Sequence, residues 1–362
     1  MVILILIVII LLSVLSTGRV SSLESKIAQM LVMGFLGDDE SNPEFAASLE
    51  KYNPGGVILY NRPSYPEAGN IKSPAQLLRL TNCIKQHSKI PPFIAVDQEG
   101  GKVIRLKPEH GFQASASARE IGEQNLVSVT SNWAGNIAKE LQENGINLNL
   151  APVIDLDINP DSPAIGRHQR CFSSLPELVT IQARIFCQMM NNYKIYNCLK
   201  HFPGHGSAST DSHYDKADVS QSWNDLELEP YQQLIPENIA DMVMVSHIQN
   251  KHLDENYPAS LSKNIITSLL RDRLNWQGVI ITDDLQMKAV ADQYSLTEIL
   301  RLAILAGNDL LLFGNSKPNN QLTIEQIVET TRELVYSGEI PESLIERSYQ
   351  GIRRLKAKFI DI

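Results

Sequence analysis

Short aliphatic runs recur along the chain after Leu23, and stretches with helical periodicity separate most of them. Continuous runs of Val, Ile and Leu are typical of parallel strands that are buried on both faces. Eight runs have this character: Gln29–Phe35, Gly56–Tyr60, Pro92–Asp97, Asn147–Ile154, Tyr196–Phe202, Asp241–His247, Gly278–Asp283 and Asp309–Phe313. The helical stretches between them include Leu126–Asn144, Pro176–Tyr193 and Leu296–Ala306.

This repeated alternation of strand and helix predicts an α/β fold, a (β/α)8 TIM barrel. A doubly wound open sheet is the alternative, but no GxGxxG turn follows an early strand. We expect a single catalytic domain over residues 22–362, with no second domain at the C-terminus. The stretch after Ile340 is predicted to be a closing helix, with Arg347, Arg353 and Arg354 on its solvated face.

The N-terminus differs from the rest of the chain. Val2–Leu12 is entirely aliphatic, and Ser16 and Gly18 are small residues suited to a cleavage point. The run is too short for a membrane span and matches the apolar region of a secretory signal, although no basic residue precedes it. We therefore favour residues 1–21 as an export signal, which predicts a periplasmic or secreted protein. A membrane anchor and a mis-assigned start with a cytoplasmic protein are the alternatives.

Composition narrows the class of protein. Hydrophobic residues make up 43% of the 362 positions and charged residues 20%, as is typical of globular domains. The net charge of -9 argues against nucleic acid as a partner, because phosphate backbones require a basic face. The cysteines have no metal-ligand spacing, and we expect Cys187 and Cys198 to be buried thiols. A monomer is the default expectation.

Polar residues end or follow several of the predicted strands. They are Asp97, Asp155, His201, His247 and Asp283. In a barrel of this type the C-terminal ends of the strands surround the active site. The pattern therefore predicts a functional site at that rim.

The densest polar segment is Lys200–Asp215, which reads KHFPGHGSASTDSHYD. His201 and His205 are four residues apart, a spacing that suits a metal ion when both lie on one helix. Pro203 and Gly204 break any such helix, which argues against the metal site. So many titratable groups directly after a strand indicate a shaped functional loop, not histidines exposed by chance.

Two further segments carry candidate chemistry. In VIITDDLQM, Asp283 ends a strand and could attack a sugar carbon, whereas Asp284 is predicted to cap the next helix or to lie behind the site. In VDQEGGKVIR, Asp97 ends a strand and Arg105 could return toward the site after the Gly100-Gly101 turn. Each segment alone also fits a simple cap or turn. Together they supply the carboxylates and cations that sugar binding and glycosyl transfer need.

The motifs VDQEGGKVIR, KHFPGHG followed by DSH, and ITDDLQM resemble those of glycoside hydrolase family 3. They are most similar to its β-N-acetylglucosaminidase branch (β-N-acetylhexosaminidases), whose bacterial members recycle peptidoglycan. The resemblance covers the chain from Leu23 onward. It implies retaining hydrolysis of terminal non-reducing β-linked GlcNAc, with a GlcNAc-containing glycan or muropeptide as substrate. It also implies that neither a metal nor an organic cofactor is needed.

The resemblance implies a role for each matching residue. Asp283 matches the nucleophile, His213 the acid/base and Asp211 the aspartate that pairs with it. Residues that match the terminal sugar-binding subsite are Asp97, Arg105, Arg170, Lys200 and His201. The match of Arg170 leaves Arg167 as an alternative, because IGRHQRCF is two residues longer than the family's usual IGxRSF. Ser207 stands where the family commonly has Asp or Ala.

A histidine acid also suits the residues themselves. Its unperturbed pKa of about 6.5 allows proton donation and uptake near neutral pH. A neutral imidazole would not repel anions, so a GlcNAc phosphorylase is one alternative. A family 3 β-glucosidase is another, which the KHFPGHG…DSH loop disfavours. A glycan-binding barrel without catalysis would have no use for Asp283, Asp211 and His213. A metal-dependent hydrolase would lose activity in chelator.

Overall fold

The computed structural model describes residues 21–37, 43–61, 69–212, 216–317 and 319–359. Its strands are β1 (Leu31–Gly34), β2 (Gly56–Ile58), β3 (Phe93–Val96), β4 (Leu148–Asn149), β5 (Tyr196–Phe202), β6 (Met242–Val245), β7 (Val279–Thr282) and β8 (Leu311–Phe313). Each strand from β1 to β7 pairs in parallel with its neighbour in sequence, and β8 pairs with β1. A parallel bridge between Ile281 and Leu310 joins β7 to β8 and closes the ring. The predicted (β/α)8 barrel is confirmed.

Helices surround this barrel. The α-helices are α1 (Leu23–Gln29), α2 (Pro43–Tyr52), α3 (Pro74–Gln86), α4 (Ala118–Gln124), α5 (Val127–Glu143), α6 (Pro176–Asn192), α7 (Glu229–Leu234), α8 (Lys288–Ala291), α9 (Leu296–Ala306), α10 (Ile324–Tyr336) and α11 (Glu342–Lys356). Short 3-10 helices lie at Pro108–His110, Gly166–His168, Asp225–Leu228, Ile235–Glu237 and Ala259–Leu261, and Asn264–Arg273 forms a π-helix. All three helical stretches named from the sequence are present, within one residue at each end.

The ends of α9 follow from its local sequence. The Ser295 side chain accepts a hydrogen bond from the Glu298 N–H, and the Glu298 carboxylate accepts one from the Ser295 N–H. Gly307 ends the helix at a φ of 109°, a conformation that favours glycine. The closing helix α11 also forms, and Arg347, Arg353 and Arg354 are exposed on it as predicted.

Strand β4 is much shorter than the predicted run Asn147–Ile154. Pro152 has no N–H to donate to a neighbouring strand, so regular pairing stops before it. The contact with β5 nevertheless continues, because the Cys198 N–H donates to the Ala151 carbonyl at 2.9 Å and the Ile154 N–H donates to the Lys200 carbonyl at 2.8 Å. This contact brings Asp155 beside the C-terminal end of β5.

The barrel interior is closed at one end. Alternate side chains of β5 face the interior, and the Tyr196 ring meets the Phe93 ring edge-on at 5.1 Å. Lys356, from the end of α11, lies below them, with its Nζ 5.1 Å from the Phe93 ring centroid and 2.9 Å from Gln29 Oε1. The open end is therefore the one where the strands terminate.

The predicted export signal, residues 1–21, lies outside the described residues except for Ser21. Within the described ranges, no helix combines the length and the apolar character needed to cross a membrane. Cys187 and Cys198 are buried free thiols, as predicted.

Candidate active site

A cavity of about 290 Å³ opens at the C-terminal ends of the strands. It is lined by seven of the eight residues that the sequence singled out: Asp97, Arg105, Arg170, Lys200, His201, Asp211 and Asp283. The eighth, His213, lies outside the described residues. Side chains separated by up to 186 positions in the sequence thus converge on one site, as expected for the active-site end of a barrel.

The floor of this cavity contains an ion-paired carboxylate. Asp97 follows β3 directly, and its Oδ1 accepts from Lys200 Nζ at 2.9 Å, while its Oδ2 accepts from Arg105 Nη2 at 2.7 Å. Burial alone would raise the pKa of Asp97, but the charges of Lys200 and Arg105 outweigh it and hold the pKa well below its usual range. Asp97 therefore stays ionised and can accept hydrogen bonds from sugar hydroxyls.

A second buried carboxylate, Glu99, was not assigned a role from the sequence. Its Oε1 accepts from Lys200 Nζ at 2.6 Å and from Arg170 Nη2 at 2.7 Å, and its Oε2 accepts from Arg170 Nε at 2.7 Å. Burial opposes ionisation, yet the charges of Arg170 and Lys200 lower the pKa of Glu99 to about 2. Its position two residues after Asp97 was the available signal, because residues two apart in an extended chain share a face.

Of the two candidate arginines, the structure brings Arg170 into the cavity. Besides its two bonds to Glu99, its guanidinium donates to the Ala164 carbonyl at 2.9 Å. Arg167 is exposed, and its carbonyl accepts from Lys102 Nζ at 3.0 Å. The two extra residues thus form a turn that carries Arg167 outward and returns Arg170 to the cavity floor.

His201 is held in one orientation by its neighbours on both ring nitrogens. Arg170 Nη2 can only donate, so His201 Nε2 accepts this bond at 3.1 Å. The ring proton must then lie on Nδ1, which donates to Asp155 Oδ2 at 2.7 Å. Asp155 Oδ1 also accepts from the backbone N–H of His201 at 3.2 Å and of His205 at 2.8 Å. Asp155 therefore supports the floor from behind and does not line the cavity.

His205 lies beneath the loop that follows β5 and is fully buried. Burial lowers the pKa of His205 to about 4, so its ring is neutral. Its Nε2 is 3.3 Å from Ser212 Oγ, next to Asp211. Over the described ranges, no three His, Cys, Asp or Glu side chains are grouped so that they could hold a metal ion.

Asp283 and Asp284 follow β7, and both line the cavity. The Asp283 N–H donates to the Val245 carbonyl at 2.9 Å, which fixes the strand end that presents its side chain. Of the two roles expected for Asp284, a helix cap or a group behind the site, the cap is excluded because α8 begins only at Lys288 after an N-cap at Met287. Instead, Asp284 Oδ1 accepts from the N–H groups of Gln286 and Gly314, both at 3.0 Å, and so ties the end of β7 to the end of β8.

His247 supports the same turn from the neighbouring strand. The His247 Nε2 donates a hydrogen bond to the Asp284 carbonyl at 2.9 Å. The other ring nitrogen, Nδ1, therefore accepts a hydrogen bond from the Ser260 hydroxyl at 2.7 Å. His247 is buried and lies behind the cavity wall. Of the strand-end polar residues, Asp155 and His247 thus support the site, whereas Asp97, His201 and Asp283 face it.

Three residues that the sequence did not single out complete the mouth of the cavity. Tyr60, Lys102 and His168 all line it. Arg105 lies over the Tyr60 ring at 5.4 Å from the centroid. Lys102 and His168 are exposed, unlike the buried groups of the floor. Only the tertiary fold reveals these positions, since Lys102 and His168 are 66 residues apart.

The chain is similar to known proteins along most of its length. The model of the glycosyl hydrolase family 3 N-terminal domain matches residues 22–355. The chain is 30% identical over 343 residues to β-hexosaminidase A of Pseudoalteromonas piscicida, covering 87% of this chain and 55% of that protein. It is 29% identical over 340 residues to the β-hexosaminidase LpqI of Mycobacterium tuberculosis, and the match covers 91% of this chain and 82% of that protein.

A solved structure is similar over the whole barrel. The family 3 β-N-acetylglucosaminidase of Paenibacillus sp. strain FPU-7 superimposes with a TM-score of 0.83 at 30% identity. The match covers 93% of this chain and 62% of that one. The chain thus spans little more than half the length of the Pseudoalteromonas and Paenibacillus proteins. With one family model matched along nearly its full length, the chain belongs to glycosyl hydrolase family 3.

Proposed function

We propose that this chain is a retaining exo-β-N-acetylglucosaminidase, a β-N-acetylhexosaminidase that removes terminal non-reducing β-linked GlcNAc. The observation that carries the proposal is the single cavity in which Asp283 faces the ion-paired groups around Asp97 and Glu99. A closed floor of fixed donors and acceptors suits one terminal sugar residue. The names of the relatives from Pseudoalteromonas, Mycobacterium and Paenibacillus support the choice of an N-acetylated hexosamine.

In the proposed reaction Asp283 attacks the anomeric carbon while His213, oriented by Asp211, protonates the leaving oxygen. The bond between the anomeric carbon and the leaving oxygen breaks, and a covalent ester between the sugar and Asp283 forms. His213 then takes a proton from water, whose oxygen attacks the same carbon and releases the Asp283 carboxylate. Two displacements at one centre give net retention of configuration.

The first test is release of nitrophenol from the aryl β-N-acetylglucosaminide, compared with the aryl β-glucoside. We expect release from the N-acetylated substrate and little from the glucoside. Asp283→Asn should lower turnover by at least about a thousandfold, because an amide is a poor nucleophile. Asp272→Asn, at an exposed carboxylate on the π-helix, should match the wild-type rate. Equal activity of Asp283→Asn and wild type would refute the assignment.

The same assay separates hydrolysis from phosphorolysis. Turnover that is independent of phosphate supports the hydrolase. Loss of turnover in phosphate-free buffer would instead make the chain a phosphorylase. Activity that persists in chelator separates it from a metal-dependent hydrolase.

We further propose that the natural substrates are peptidoglycan fragments, whose muramic acid carries a lactyl carboxylate next to the cleaved bond once the stem peptide is removed. Lys102 supports this choice. Arg105, Arg170 and Lys200 are each paired with Asp97 or Glu99, whereas Lys102 has no carboxylate within 4.0 Å in the described part of the chain. It stands at the exposed mouth, through which the leaving group must project.

Lys102→Met tests this preference. We expect KM for a GlcNAc–muramic acid disaccharide to rise about fivefold, since an exposed charge contact is worth about 1 kcal/mol. The KM for chitobiose, which has no carboxylate, should not change. A rise of equal size for both disaccharides would contradict recognition of the carboxylate by Lys102.

A further inference from the structure

The carboxyl group of Glu227, outside the cavity, supports the beginning of the loop that carries Asp211. Glu227 belongs to the 3-10 helix Asp225–Leu228 and is 1% exposed. Its Oε2 accepts a hydrogen bond from the Gly206 N–H at 3.0 Å. Gly204 lies so close that an added Cβ there would be 2.5 Å from the Glu227 Cβ. Residues 204–206 therefore rest directly on this side chain.

Asp211 lies between two anchored points of the loop. At the first, the Gly206 N–H donates to Glu227 and the Gly206 carbonyl accepts from the Asn159 N–H at 3.1 Å. At the second, Ser212 Oγ lies 3.3 Å from His205 Nε2. Movement of Gly206 would therefore displace the chain that leads to Asp211.

The surroundings of Glu227 do not favour a negative charge. The titratable groups that face it are Asp155, Cys171 and Tyr231, and none of these described neighbours is a cation. Its Oε1 has no hydrogen-bond partner within the described ranges. Burial raises the pKa of Glu227 to about 8; the polar groups of Ser207 and Gly206 oppose the rise and Asp155 adds to it. The carboxyl is therefore protonated at neutral pH.

We propose that Glu227 is a positioning residue that acts as a neutral carboxylic acid, and that its ionisation releases the Asp211 loop and stops turnover. An ionised Glu227 would put a second negative charge beside Asp155 with no cation to offset it. The strain is relieved when the carboxylate moves toward water, and residues 204–206 move with it. The inference rests on the proposed function, because the loop matters only if Asp211 serves glycosyl transfer.

The test uses dinitrophenyl β-N-acetylglucosaminide, whose leaving group needs no protonation, so that hydrolysis of the glycosyl-enzyme limits kcat. This step uses the Asp211–His213 pair as a base, and a base is not lost by deprotonation at alkaline pH, so its titration does not mask that of Glu227. We expect the wild-type kcat to fall about tenfold per pH unit above about pH 8. Glu227→Gln keeps the neutral charge and an oxygen acceptor for Gly206, and its kcat should stay level there. Glu140→Gln is the matched control, because Glu140 is a mostly buried carboxyl on α5 with a raised pKa. Glu140→Gln should show the same decrease in rate above about pH 8 as the wild type.

The same alkaline fall in Glu227→Gln and wild type would overturn the proposal. So would a Glu227→Gln protein that melts like wild type but is inactive at pH 6. Hydrogen exchange on the wild type alone covers the case in which the variant does not fold. Protection of residues 204–212, corrected for the intrinsic rate, should decrease as the pH passes about 8. Unchanged protection would also overturn it.

Failure of the proposed function gives a different result. A wild-type protein that releases no dinitrophenol at any pH would refute the glycosidase assignment. The exchange measurement would still decide whether ionisation of Glu227 releases the loop.

Discussion

At the scale of single residues, the cavity floor is a set of charges that hold one another in place. Asp97 and Glu99 face Arg105, Arg170 and Lys200, and Lys200 touches both carboxylates. Each buried ion would be costly alone, and their mutual contacts offset the loss of water. The side chains are therefore oriented before a sugar arrives, which reduces the reorganisation that binding requires.

Glu99 provides a direct test of this arrangement. Glu99→Gln keeps the shape but removes the charge that Arg170 and Lys200 share. We expect the free energy of unfolding to fall by about 3 kcal/mol, as for other broken buried pairs. We also expect kcat/KM for the aryl substrate to fall about a hundredfold, because Arg170 and Lys200 lose their fixed positions. Urea denaturation and steady-state kinetics measure the two effects.

Glu109→Gln is the matched control for that experiment. Glu109 is an exposed carboxylate 3.4 Å from Lys107, and Glu109→Gln should have the urea midpoint and the catalytic rate of the wild type.

The pH dependence of the free energy of unfolding gives a second check on Glu99. The pKa of Glu99 is lowered to about 2, so its contribution to stability is present above about pH 4.5 and is lost as the pH falls toward 2. The free energy of unfolding should therefore decrease less steeply with falling pH in Glu99→Gln than in wild type. An identical decrease in both proteins would count against the assigned ion pairs.

At the scale of secondary-structure elements, the sequence predicted most of the barrel because each strand is a continuous apolar run. Strand β5 has the predicted bounds Tyr196–Phe202, and α9 has its predicted ends because the capping signals are local. Other features depend on neighbours distant in sequence. Asp284 accepts from Gly314, thirty residues later, so a local pattern could not distinguish this contact from a helix cap. Glu227 likewise gains its role only where its 3-10 helix meets Gly206.

The loop after β5 depends on glycine for close approach. A Cβ on Gly206 would lie 1.7 Å from the Leu156 carbonyl oxygen, so Gly206→Ala must shift the backbone. We expect kcat for the aryl substrate to fall at least about tenfold, because a small displacement of the catalytic groups is costly. The melting temperature should decrease as well, and calorimetry measures it alongside the rate.

Gly351→Ala in α11 is the opposite case. The nearest atom to the added methyl group would be Arg354 Nη2, at 3.9 Å, so the methyl group fits. Alanine in a helix is about 0.5–1 kcal/mol more favourable than glycine, so this variant should be more stable and fully active. Similar behaviour of the two glycine variants would show that crowding at Gly206 is not what fixes the loop.

At the scale of the whole molecule, the two ends of the barrel have opposite responses to pH. Glu227 near the open end has a pKa raised to about 8, so its neutral form is favoured by folding. Its contribution to stability is lost as the pH rises from about 4.5 to 8. Lys356 at the closed end is buried, and burial lowers its pKa to about 7. The unfolded chain binds its proton more tightly, so stability rises between about pH 7 and 10.5.

Lys356→Met isolates the closed end, because methionine fills a similar volume without a charge to bury. We expect the variant to be more stable than wild type at pH 7 and to lose the alkaline rise, whose slope for one group approaches about 1.4 kcal/mol per pH unit. Above about pH 8, Glu227 no longer changes its charge, but the buried thiols of Cys171, Cys187 and Cys198 have raised pKa values and also contribute to the slope. The difference in slope between wild type and Lys356→Met therefore reports on Lys356. Urea denaturation from pH 8 to 10.5 measures it, with the exposed Lys263→Met as the control that keeps the wild-type slope. An unchanged slope in Lys356→Met would mean that the lysine reaches water in the folded protein and that the closed end is hydrated.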